Sequence, residues 1–122
     1  MKKFLGITAM VFGLALATNV GWADMGKAAP LKAAAGSKAD MHVNEGIEHF
    51  DKGHWDVAKK HFMEAAKADP KSAEAHYDLA LTLDKAGDHK GATEHFKTAY
   101  EMGKDNAEIQ NSDILKSHLK MK

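Results

Sequence analysis

The sequence predicts an all-α fold, a short α-solenoid of two helix pairs closed by a C-terminal capping helix and preceded by an N-terminal signal peptide helix. Two observations carry this prediction. Sliding residues 39–72 along the chain by 34 positions aligns seven identical residues, and apolar residues within each copy recur at three- and four-residue spacing. A period of this length indicates a stack of similar helical units, because each unit can bury its apolar face only against its neighbours.

The first 23 residues have the features of a secretion signal. Two lysines precede an uncharged apolar run from Phe4 to Ala17, and small residues stand at positions 21 and 23 before Asp24. We therefore predict a signal peptide cleaved after Ala23 and a periplasmic or secreted protein. The alternative is an uncleaved helix that anchors the chain in the inner membrane, because residues 4–23 hold no charge over nearly the length that spans a bilayer.

The composition argues against several classes of partner. The chain has neither Arg nor Cys, so it lacks the guanidinium groups that read bases and clamp phosphates, and it must fold without disulfides. Its 17 basic and 17 acidic residues balance, which leaves no basic stripe for a nucleic-acid backbone. We expect a protein or peptide partner and no nucleic acid. Contact with a membrane is expected only if the N-terminal helix is retained.

Four segments follow the predicted signal peptide. Residues 24–38 are rich in Ala, Lys and Gly and contain Pro30, which predicts a flexible linker. Residues 39–72 form the first predicted helix pair and residues 73–104 the second, with Gly53 and Gly87 closing the turn inside each pair. Residues 105–122 carry Ile114, Leu115 and Leu119 on one face and are predicted to form the capping helix.

The repeats resemble the tetratricopeptide repeat (TPR) family, whose period is also 34 residues. The first copy matches the signature small, turn, aromatic and proline positions with Gly46, Gly53, Trp55, Ala58, Phe62, Ala65 and Pro70. The second copy matches the family pattern with Leu79, Ala80, Leu83, Gly87, Ala92, Phe96 and Ala99. The chain departs from the pattern at Lys104, where a proline is usual, and at Glu45, where a buried Leu is usual. Two repeats are few for an independent solenoid, which favours self-association or docking on a larger partner.

The resemblance implies a concave groove, lined by the first helix of each pair, that binds extended peptides or helices. The groove positions in this chain are Val43, Ile47, Phe50, Tyr77, Leu81, Asp84 and Lys85. Apolar and aromatic side chains supply most of the binding energy in such sites. The alternative is that the same residues pack on the capping helix or on the linker. The sequence contains no catalytic motif. We therefore predict that the protein is not an enzyme and needs no cofactor.

The chain contains eight histidines, which suggests a second possible function. The leading prediction is a non-catalytic protein-protein interaction module, an adaptor or scaffold of the bacterial cell envelope. Imidazole is a common transition-metal ligand, so a periplasmic His-rich metal-binding protein is one alternative. His54, His61 and His95 are weak candidate ligands, because no close His pair and no Cys accompany them. Six of the eight histidines fall where the repeat usually places Trp or Tyr, which favours a packing role. Half-buried imidazoles would also make helicity decrease near pH 5.

Overall fold

The computed structural model describes residues 28–121, and the predicted signal peptide lies outside these residues. Six helices follow one another without a strand in this part of the chain: α1 (Asp40–Asp51), α2 (Trp55–Ala68), α3 (Ala73–Lys85), α4 (His89–Met102), α5 (Ala107–Gln110) and α6 (Asp113–Leu119). Helix α1 packs on α2 and α3 on α4, and the two pairs stack through α2 and α3. The predicted all-α solenoid fold is therefore confirmed. Within the described range no helix has the length and apolarity needed to cross a bilayer.

Equivalent glycines close the turn inside each helix pair. Gly53 has a φ of 78° and Gly87 a φ of 94°, which is the left-handed region that a residue without Cβ adopts easily. The residue after each glycine donates its backbone N–H to a carbonyl five residues earlier, from His54 to His49 at 2.9 Å and from Asp88 to Leu83 at 2.8 Å. Both pairs thus end their first helix with the same hydrogen-bonded motif.

The core is built from the same positions in both repeats. Phe62 and Phe96 are fully buried, and alanines flank each of them on the same helix face. A small residue faces the ring of Phe62 from the first helix of its pair: a Cβ added at Gly46 would lie 2.5 Å from Cε1 of Phe62. The small residues let the paired helices approach closely, as the repeat pattern predicts.

The C-terminal segment differs from the single capping helix predicted for residues 105–122. It forms two short helices, α5 and α6, separated at Asn111 and Ser112. The side chain of Asn106 accepts backbone N–H groups at the start of α5, and Ser112 Oγ accepts the N–H of Leu115 at the start of α6. Each polar cap begins a new helix. The break brings Ile109 and Leu115, both fully buried, onto the core, where one straight helix would not hold both.

The described part of the predicted linker packs in part against the helices. Ala33 is buried, and Ala28 and Leu31 pack against the core. Small side chains and the extended conformation favoured near Pro30 allow this segment to lie close to the helices. We call residues 28–33 the N-terminal segment.

Candidate partner-binding groove

The sequence predicts a groove lined by α1 and α3, the first helices of the two pairs. The N-terminal segment lies beside predicted groove residues of both helices. Pro30 borders one opening together with Phe50 and Lys85, and a second opening together with Tyr77 and Ile114. Residues of the same chain therefore lie next to Phe50 and Lys85 at one opening and Tyr77 at the other.

The apolar residues predicted for the groove are mostly covered. The exposed fraction is 0% for Val43, 8% for Phe50, 3% for Tyr77 and 2% for Leu81, and Ile47 is half-buried. Phe50 packs edge-on against Trp55 with ring centroids 5.1 Å apart. Val43, Phe50, Tyr77 and Leu81 thus belong to the hydrophobic core, and Ile47 packs against it.

The two charged residues predicted for the groove behave differently from each other. Lys85 is exposed beside the first opening. Asp84 is half-buried, and its Oδ1 lies 2.6 Å from Nδ1 of His89 and 2.9 Å from Nε2 of His118. Asp84 therefore binds histidines of its own chain, and Lys85 is the predicted charged residue that stays open to solvent.

A buried carboxyl group, not predicted from the sequence, holds the N-terminal segment. Asp78 on α3 is fully buried, and its Oδ1 accepts the backbone N–H of Leu31 at 2.7 Å. Its Oδ2 has no hydrogen-bond partner within residues 28–121. Burial raises the pKa of Asp78 well above its usual value; the N–H of Leu31 lowers it, and the nearby Glu74 raises it again. The position of Asp78 inside the apolar run from Tyr77 to Leu83 could have indicated its burial.

The capping helices close the other side of the groove through a polar contact. The hydroxyl of Tyr77 lies 2.7 Å from Oγ of Ser112, which is itself the N-cap of α6. Burial raises the pKa of the Tyr77 hydroxyl, which keeps this group protonated. The contact fixes Tyr77 at the second opening, and no local sequence pattern predicts it.

The three histidines considered as weak metal ligands lie beside different partners. Nδ1 of His54 is 3.3 Å from Nδ1 of His49. His61 faces Glu45, with Nδ1 at 3.4 Å from Oε1, whereas His95 pairs with His76. The structure therefore does not gather these three residues into one ligand set.

Two comparisons with known proteins bear on this helical repeat. A family model described as "Tetratricopeptide repeat" matches residues 43–107. The chain is also similar to "Type IV pilus assembly protein PilF" of Pseudomonas aeruginosa, with 30% identity over 106 residues that cover 85% of this chain and 42% of the relative. The chain thus spans less than half the length of this curated relative.

Proposed function

Since this chain belongs to the tetratricopeptide repeat family, we propose that it is a non-catalytic interaction module of the bacterial cell envelope that binds an extended partner segment between α1 and α3. The observation that carries this proposal is the N-terminal segment itself. This segment lies beside α1 and α3 and donates the backbone N–H of Leu31 to Asp78 on α3. A surface that holds one segment in this way has the polar anchor to bind another.

The N-terminal segment is a weak occupant, which makes exchange for a partner reasonable. Its apolar contacts come mainly from Leu31 and from alanines such as Ala28 and Ala33. Alanine buries little apolar area, and buried area is the main source of favourable free energy in such contacts. A partner segment with larger apolar side chains would gain more from the same groove, and the exposed Lys85 at the opening would favour an acidic neighbour on that partner.

The proposed location in the cell envelope rests on two supports. The predicted signal peptide directs the chain out of the cytoplasm. The similar protein PilF is named as a pilus assembly protein, and a role in assembling an envelope complex fits a small module that binds a partner. We propose the same kind of role here, with the partner to be identified by capture.

Photo-crosslinking in cells tests the groove. A photoreactive residue in place of Lys85, at the groove opening, is compared with one in place of Lys97, an exposed residue of α4. We expect a specific protein adduct from position 85 and none from position 97. Equal adducts from the two positions would contradict the assignment of the groove.

A second pair of variants tests whether the N-terminal segment competes with the partner. Leu31→Pro removes the backbone N–H that Asp78 accepts, whereas Ala29→Pro introduces the same residue type at an exposed neighbour and keeps that N–H. We expect the adduct at position 85 to increase severalfold in Leu31→Pro and to stay unchanged in Ala29→Pro. An adduct between two copies of this chain would identify self-association as the use of the groove.

A further inference from the structure

Three side chains with metal-binding atoms come together between α1 and α2. They are those of His42 and Glu45 on α1 and of His61 on α2. The Oε1 atom of Glu45 lies 3.7 Å from Nδ1 of His42 and 3.4 Å from Nδ1 of His61. All three ligand atoms lie within 4.8 Å of one another. We propose that these three residues bind a divalent transition-metal ion such as Zn²⁺, a function separate from the groove.

The two distances from Glu45 to the histidines suit metal coordination better than hydrogen bonding. Ligand bonds of about 2.0–2.1 Å in tetrahedral geometry place neighbouring ligand atoms about 3.3 Å apart. The measured separations of 3.4 and 3.7 Å are close to that value, and both exceed the usual length of a hydrogen bond. Three protein ligands would leave a fourth position for water.

Nδ1 of His42 supplies a second, independent observation. This atom is buried and has no hydrogen-bond partner among the residues that the structure describes. Buried polar atoms nearly always have a partner, because an unpaired one loses its interaction with water. A cation held jointly with Glu45 and His61 would provide that partner.

The second repeat provides an internal comparison for the site. His76 and His95 occupy the positions equivalent to His42 and His61, and their Nδ1 atoms are 3.2 Å apart. Leu79 stands at the position of Glu45, so that this pair lacks a carboxylate. Position 45 is also where the first repeat departs from the usual Leu of the family. The second repeat therefore has only a packing contact between two histidines. In the first repeat the carboxylate of Glu45 adds a third ligand and one negative charge.

Another group in the structure combines a carboxylate with two histidines, and it differs in its distances. Oδ1 of Asp84 lies 2.6 Å from His89 and 2.9 Å from His118, which are hydrogen-bond lengths. Oγ1 of Thr93 lies 2.9 Å from the other ring nitrogen of His118. These side chains have partners within the chain, so we assign the metal site to His42, Glu45 and His61 and use the Asp84 group as a comparison.

Zn²⁺ titration of the full chain, purified without a histidine tag, tests the proposal. Affinity is measured by competition with a chromophoric chelator. We expect one equivalent bound by the wild type, and an affinity lower by at least about tenfold in Glu45→Gln. Glu45 is half-exposed, so this change should leave the fold intact, and far-ultraviolet circular dichroism checks that point. Glu48→Gln, an exposed change on the same helix, is the matched control and should bind as the wild type.

Side-chain ¹⁵N spectra of the histidines locate the ion. We expect Zn²⁺ to shift Nδ1 of His42 and His61 and to leave His76 and His95 unchanged. Absence of stoichiometric binding by the wild type would overturn the proposal. Binding that survives Glu45→Gln but is lost in His118→Gln would also overturn it, by assigning the ion to the Asp84 group.

Discussion

The backbone N–H of Leu31 donates to Oδ1 of Asp78 at 2.7 Å, across 47 residues of sequence. This contact joins the N-terminal segment to the middle of α3. Asp78 is fully buried, so the contact also links the position of the segment to the protonation of one carboxyl group. Because the segment lies beside the predicted groove residues, this hydrogen bond connects the stability of the fold with access to the proposed binding surface.

Asp78→Asn should raise the stability of the folded protein at neutral pH. Burial raises the pKa of Asp78 in the folded state, so folding favours the protonated form. Protonated Asp78 makes its full contribution to folding stability below the ordinary carboxyl pKa of about 3.9. That contribution is lost as the pH rises through the raised pKa of Asp78 in the folded state. Asparagine stays neutral and keeps an oxygen for the Leu31 N–H. We expect a higher melting temperature for the variant at pH 7.5 and a smaller difference between the two proteins at pH 4.5.

The matched control for this prediction is Asp105→Asn, an exposed carboxylate in the loop before α5. It should not change the melting temperature appreciably at either pH. An Asp78→Asn protein that is less stable than the wild type at pH 7.5 would show that the ionised carboxylate stabilises the fold.

Gly46→Ala should destabilise the first helix pair. The added Cβ would lie 2.5 Å from a ring carbon of Phe62, which is fully buried and cannot move without displacing its neighbours. Overpacking of this kind costs about 1–3 kcal/mol of unfolding free energy. Chemical denaturation measures the loss, and Glu48→Ala on the exposed face of the same helix is the control. A stability equal to that of the wild type would mean that α1 and α2 can separate without cost.

Ser112→Ala should weaken the contact between the cap and the groove. The change removes the N-cap of α6 and the hydrogen-bond partner of the buried Tyr77 hydroxyl, at a combined cost of about 1–3 kcal/mol. Tyr77→Phe removes the hydroxyl and should make a following Ser112→Ala less costly. A double-mutant cycle measures this coupling. Ser117→Ala, at an exposed position of α6, should have little effect, and strictly additive losses at Ser112 and Tyr77 would contradict the coupling.

Acidification should destabilise the protein through His95. Burial lowers the pKa of His95 in the folded state, and the neighbouring His76 lowers it further, with opposing effects from Glu94 and Asp88. Neutral His95 makes its full contribution to folding stability above the ordinary imidazole pKa of about 6.5. That contribution is lost as the pH falls through the lowered pKa of His95 in the folded state. Protonation of Asp78 acts in the opposite direction as the pH falls, so the comparison is made in the Asp78→Asn background. There we expect helicity and melting temperature to decrease from pH 7.5 to 5, and to decrease less when His95→Gln is added. The exposed His54→Gln is the control. A circular dichroism spectrum unchanged over this range would contradict the prediction.

Local chemistry explains which parts of the fold could be predicted. Gly53 and Gly87 close their turns as expected, because positive φ is a local property of a residue without Cβ. Phe62 and Phe96 are buried as expected, since helical spacing decides which face of an amphipathic helix turns inward. The burial of the predicted groove residues could not be predicted, and their assignment to a groove stays a prediction.

The sequence by itself determined the repeat, the turns and the identity of the core residues, because each depends on periodicity or on the backbone preference of one residue type. Only the tertiary structure decided that residues 28–33 lie beside the predicted groove residues, that Asp78 holds them, and that Glu45 meets two histidines. These relationships join residues that are distant in sequence or lie on different helices. They depend on how helices pack and on which polar atoms find partners once water is excluded, and no local pattern encodes that.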